Sequence, residues 1–191
     1  MRRRWLALTI PFALLGTTGC GYNTIQTYEE RVDAAQGQIE VALQRRADLV
    51  PNLVETVKGF ARQENEVLTN VTRARAGLVG ELQRSGGTSP EALAAANAEL
   101  TTALAGLNSF VVESYPELRS NENFLRLQDE LVGTENRVAT ARTDYNQSVE
   151  QYNGYIRRFP QNITAKVTGA NAREYFQVTD GANREVPEVK F

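Results

Sequence analysis

The stretch at residues 121–160, NENFLRLQDELVGTENRVATARTDYNQSVEQYNGYIRRFP, decides the fold class. Phe124, Leu127, Leu131, Val138, Tyr145, Val149, Tyr152 and Ile156 recur at intervals of three, four and seven residues. That is the helical period, and it puts all of them on one face. The stripe predicts a long amphipathic helix over about residues 121–158. Ser120-Asn121-Glu122 supplies cap candidates and an acid at its start, and Phe159-Pro160 ends it.

Working outward, the same period returns three times. Leu93, Asn97, Leu100, Leu104, Leu107 and Val111 predict a helix over about 90–114, opened by Ser89 as N-cap and Pro90 in the first turn. Tyr115-Pro116 stops it. Leu53, Val57, Phe60, Glu64, Val67, Val71, Ala74 and Leu78 predict a helix over about 52–84, which ends at Ser85-Gly86-Gly87. Ile25, Tyr28, Val32, Ile39 and Leu43 form a weaker stripe over about 23–47. Pro51 is read as the break between these last two, since one helix from 23 to 84 would run roughly 90 Å. Four amphipathic helices with short connections give an all-α, up-and-down antiparallel four-helix bundle across residues 20–160. Residues 161–191 read as a short helix near 162–168 and an irregular tail. Tyr175, Phe176, Val178, Val186, Val189 and Phe191 make that tail apolar enough to dock on the bundle.

The N-terminus carries a targeting pattern. Arg2, Arg3 and Arg4 precede an apolar run at residues 5–15, and Gly16-Thr17-Thr18-Gly19 leads into Cys20. Basic, apolar and small-residue regions in that order make a secretory signal over residues 1–19. The run is about 11 residues, against roughly 20 for a membrane-spanning helix. Cleavage before Cys20 would make its thiol the natural acyl acceptor. The other reading is an uncleaved anchor helix, which Thr17 favours where an aliphatic residue would suit lipidation. Either way the arginines stay in the cytoplasm and the domain lies on the extracytoplasmic side.

Composition narrows the function classes. Without Arg2, Arg3 and Arg4 the 21 basic residues become 18 against 23 acids, a net charge of −5. Such a chain is a poor partner for nucleic acid or anionic headgroups, so attachment to the membrane falls to a lipid or anchor. There is no histidine and no cysteine besides Cys20. That removes histidine- or cysteine-ligated metal sites, histidine-activated nucleophiles and disulfides. No phosphate-cradling loop is present, and no cofactor is expected.

Polar residues inside the stripes are the site candidates. Glu64, Glu135 and Arg142 would need partners if buried, and those partners must come from neighbouring helices. A structural polar network is one account; a carboxylate pair performing acid–base hydrolysis of an envelope polymer is the other. Tyr145 and Tyr152 share a face at a seven-residue spacing, as core-edge aromatics or a partner-binding strip. Arg45, Arg46 and Asp48, at the expected helix junction, satisfy helix ends or form a partner-docking corner.

Several segments resemble the LemA family. They include Gly21-Tyr22-Asn23, Arg45-Arg46-Ala47-Asp48-Leu49-Val50-Pro51-Asn52-Leu53-Val54, Glu113-Ser114-Tyr115-Pro116-Glu117-Leu118 and Asn121-Glu122-Asn123-Phe124. Leu127-Gln128-Asp129-Glu130-Leu131, Gly133-Thr134-Glu135-Asn136-Arg137, Asp144-Tyr145-Asn146, Tyr152-Asn153, Arg157-Arg158-Phe159-Pro160 and Val189-Lys190-Phe191 complete the set. The resemblance implies a membrane-attached helical protein with a four-helix bundle and no catalytic residues to carry over. It also implies loose links to envelope stress, signalling and membrane metalloproteases. Together with the residues, this gives the expectation of a non-catalytic scaffold or adaptor for an envelope or membrane protein. An envelope-stress signalling component is the alternative of the same general kind.

Overall fold

The computed structural model describes residues 3–60, 65–84 and 89–177, with side chains from residue 21 onward except Asn65. Among the described residues all regular structure is helical: α1 (Arg3–Lys58), α2 (Asn65–Leu82), α3 (Pro90–Ser114), α4 (Pro116–Arg119), α5 (Glu122–Ile156) and α6 (Gln161–Thr168). The stripes read from the sequence are the buried faces. On α5, Phe124, Leu127, Leu131, Val138, Tyr145, Val149, Tyr152 and Ile156 are buried, as are Leu93, Leu100, Leu107 and Val111 on α3. Ile25, Val32, Ile39 and Leu43 are buried on α1. Burial of such side chains stabilises each by about 1.5–3 kcal/mol.

The expected break at Pro51 does not occur. α1 runs through the proline to Lys58, and the interruption comes at Gly59. A proline inside a helix has no N–H to donate to the carbonyl four residues back, and its ring crowds that carbonyl. Here that carbonyl belongs to Ala47, and Arg75 Nε of α2 donates to it at 2.8 Å. The lost helical bond is replaced from outside, so the helix continues. Its true end carries an ordinary signature: Lys58 in the last turn, then Gly59 N–H to Glu55 O and Phe60 N–H to Val57 O. Phe60, placed on the buried stripe by its spacing, is exposed in this turn.

Other boundaries follow their local chemistry. Ser89 Oγ accepts from Ala92 N at 3.1 Å, with Pro90 opening α3. Tyr115-Pro116 ends α3 but also starts the one-turn α4, which buries Leu118 completely. Asn121 Oδ1 accepts from the N–H groups of Asn123 and Phe124 and caps α5. α6 closes at Gly169, whose φ of 75° is the left-handed conformation that favours glycine.

The chain divides into two compact units, Met1–Gln38 with Ala141–Tyr175, and Ile39–Thr140 with Phe176–Phe191. α1 and α5 each contribute a segment to both. In the second unit α2 packs on α3, and α3 on α4. In the first, the segment after α6 is tied to α1 and α5. Of the apolar tail residues, Phe176 is buried and Tyr175 exposed, while Val178, Val186, Val189 and Phe191 lie outside the described residues.

Candidate functional site

The polar centre of the second unit is Arg46. Although it follows the exposed Arg45, it continues the Ile39–Leu43 stripe by one helical turn and is 4% exposed. Burying a guanidinium costs several kcal/mol unless its charge and donors are met. Arg46 Nη1 donates to Asn97 Oδ1 on α3 at 2.6 Å, and Nη2 forms an ion pair with Glu135 Oε2 on α5. Nε has no hydrogen-bond partner. Burial pushes the Arg46 guanidinium below its ordinary value, and the Glu135 carboxylate acts in the opposite sense. Three helices are thereby joined at one residue.

An open cleft of about 420 Å³ adjoins this network, lined by Leu53, Leu107, Phe124 and Leu131 together with Arg46 and Glu135. Gln128 Nε2 donates to Asn108 Oδ1 at 2.7 Å beside it, a further link from α5 to α3. The Glu135 carboxylate is engaged by Arg46 through Oε2, while Arg46 Nε stays without a partner. Among the described residues no group of three or more Cys, Asp or Glu is positioned to hold a metal ion.

In the first unit the chain after α6 is fastened as a strap. Asn153 Nδ2 donates to Arg173 O and Asn153 Oδ1 accepts from Arg173 N, both at 2.9 Å. Tyr145 Oη donates to Glu174 O at 2.9 Å. The Arg173 guanidinium reaches Glu29 and Asp33 on α1 at 3.0 and 3.1 Å. Tyr152 is fully buried, and its hydroxyl has no partner. Burial raises the pKa of both tyrosines; Arg173 opposes the rise, and nearby carboxylates add to it.

The expected site residues therefore separate. Of Glu64, Glu135 and Arg142, Glu135 is in the central network, Arg142 is half-buried in the other unit, and Glu64 lies outside the described residues. Arg46, expected at a docking corner or helix end, is instead a core residue, because its stripe position outweighs its charge. Arg45 and Asp48 are exposed, and Asp48 accepts from Gln44 Nε2 at 2.8 Å. Tyr145 and Tyr152 face the interior rather than forming an open strip. The Cys20 side chain lies outside the described residues. Asn97 and Asn153, which the sequence reading did not select as polar partners, complete the two networks. Their signal is a polar residue on a buried stripe facing another such residue on a different helix.

Among the described residues no helix is long and apolar enough to cross a membrane. Comparison with known proteins places the chain by sequence. Residues 35–191 match the model of the LemA family. The magnetosome protein MamQ 2 of Paramagnetospirillum magneticum is 32% identical over 185 residues, covering 86% of this chain and 68% of its own length. MamQ of Magnetospirillum gryphiswaldense is 29% identical over 185 residues, covering 86% and 67%. Protein LemA of Metamycoplasma hominis is 24% identical over 145 residues, covering 75% and 63%. With most of its length matched by the family model and the polar and apolar stripes in place, the chain belongs to the LemA family.

Proposed function

We propose that this protein is a non-catalytic, membrane-anchored helical scaffold of the bacterial envelope, its four long helices forming an up-and-down bundle. The pairing of Glu135 with Arg46 carries the non-catalytic part of this reading. A carboxylate engaged by a buried guanidinium ties helices together; it is not set up to shuttle protons to a substrate. The signal pattern ending at Cys20 supports attachment on the extracytoplasmic side, and relatives named as magnetosome proteins suit an envelope role. Anchoring confines the bundle near the bilayer and raises its effective concentration toward a membrane partner.

Photo-crosslinking in native membranes, followed by mass spectrometry of the captured species, tests the scaffold role. A reproducible membrane-protein adduct is expected, and repeated absence of one overturns it. The mass of the purified membrane form tests the anchor. Cleavage before Cys20 removes Trp5, the sole tryptophan, with its fluorescence, and lipidation adds mass at Cys20. A membrane form that keeps Trp5 is held by a helix instead.

A further inference from the structure

α6 is built inside out. Its polar and small residues face the first unit: Ala165 is buried, and a methyl group placed on Gly21 of α1 would meet Thr164 Oγ1 at 3.6 Å and Gln161 Cγ at 3.9 Å. Its apolar residues face solvent. Ile163 and Val167, four apart on one side, are 53% and 83% exposed, and Phe159, in the turn that precedes the helix, is 80% exposed. A helix in a folded domain normally does the reverse, and a clustered apolar face left open marks a contact surface.

Two observations say what covers it. The first is position: α6 lies against Gly21, the residue after Cys20, which puts this helix beside the point where the proposed anchor joins the unit. The second is charge. Residues 1–28 and 151–173 contain no Asp or Glu, although the chain as a whole is acidic. Arg157, Arg158 and Lys166 flank the apolar face, all exposed and with no ion pair among the described residues. Tyr22, next to Gly21, is also exposed. Aliphatic side chains, aromatic rings and lysine or arginine together are the composition of a membrane interface.

We propose that α6 is an interfacial membrane helix. Ile163 and Val167, with Phe159 of the preceding turn, enter the headgroup–acyl boundary, and Arg157, Arg158 and Lys166 meet lipid phosphates. So short a helix would bind weakly on its own; the anchor next to it supplies the effective concentration. The anchor and α6 then hold the unit at two places, which fixes its orientation to the bilayer where a single tether would let it swing. The net charge of −5 argues against a polybasic membrane face for the whole domain, but the local charge at this end has the opposite sign.

The inference rests on the anchoring proposed above, and the test separates the two. The full chain carrying Trp5→Phe is prepared with either Phe159→Trp or Gln147→Trp. Gln147 is an exposed α5 residue about 14 Å along the helix from Ile156. Each protein is reconstituted into vesicles of phosphatidylethanolamine and phosphatidylglycerol, with or without lipids brominated on the acyl chains. Flotation after a carbonate wash reads the anchor. The F159W indole is expected to emit at shorter wavelength than that of Q147W, to be quenched by the brominated lipids and to be protected from acrylamide. Q147W is expected to show the opposite pattern.

Vesicle-bound F159W that acrylamide quenches as readily as Q147W overturns the α6 contact and leaves the anchor standing. Protection from acrylamide without quenching by brominated lipid assigns the face to a protein, such as a second copy, and also overturns it. Protein washed off the vesicles overturns both readings. Ile163→Asp in the F159W protein is expected to abolish the lipid quenching while flotation persists. Quenching that survives this change overturns insertion of the α6 face.

Discussion

Arg75 Nε donates to the carbonyl oxygen of Ala47, the group that Pro51 leaves without its helical donor. A side chain of α2 thus repairs the backbone of α1. Arg75→Ala is expected to destabilise the protein by about 1–3 kcal/mol, the cost of an unmet buried carbonyl. With alanine at position 51 a backbone N–H returns to Ala47, so R75A should then cost far less. Denaturant unfolding of wild type, R75A, P51A and R75A/P51A measures this coupling. Additive effects would mean that Arg75 does not serve the proline.

Arg46 and Glu135 should respond unequally to removal. Glu135→Ala leaves a buried cation without its counter-charge, with an expected loss of about 2–4 kcal/mol. Arg46→Met removes the buried charge and fills a similar space. The side chain of Glu135 is 45% exposed and can turn to water, so R46M should cost no more than about 1–2 kcal/mol. Thermal melts of both variants test the order. If cellular function fails in E135A while its melting temperature holds, Glu135 has a chemical role.

The strap makes a second ordering. Asn153 holds both main-chain groups of Arg173, and Asn153→Ala should cost about 1–3 kcal/mol and expose the Arg173 amide to hydrogen exchange. Arg173→Ala removes half-exposed ion pairs to Glu29 and Asp33, with a smaller, salt-sensitive loss of about 0.5–1 kcal/mol. Exchange of the residue 173 amide should stay slow in R173A.

Tyr145 and Tyr152 predict opposite signs for one substitution. Tyr152→Phe deletes a buried hydroxyl with no partner and should stabilise by about 1 kcal/mol. Tyr145→Phe loses the bond to Glu174 O and should destabilise by about 1 kcal/mol. Both tyrosines have raised pKa values in the fold, chiefly from burial. An unfolded tyrosine ionises near pH 10, so above that the unfolded state holds fewer protons and stability falls. The contribution is complete below about pH 10 and is lost as pH rises through the raised folded values. Alkaline unfolding followed by circular dichroism should shift upward in Y152F.

Much of the fold was legible because its signals are local. The α5 stripe, Ser89 with Pro90, and the asparagine cap at Asn121 each act within a few residues and sit as their chemistry predicts. The site was less legible. Arg46 beside Arg45 resembles a surface pair until its place after Ile39 and Leu43 is counted, and even then only a facing Asn97 and Glu135 make its burial tolerable. Asn153 was masked in the same way: its partner is a main-chain segment that no side-chain pattern announces.

The sequence by itself determined that this chain is helical, where α3 and α5 begin and end, and which of their faces are buried. Periodicity and capping are properties of neighbouring residues. Three things belonged to the tertiary structure alone: that Pro51 does not break α1, that Arg46 lies in the core, and that α6 turns its apolar side outward. Each depends on a partner far along the chain, Arg75 for the first, Asn97 and Glu135 for the second, Gly21 for the third. Local propensity sets the cost of a buried charge or a proline in a helix. Whether that cost is met depends on what the rest of the chain brings within hydrogen-bonding distance.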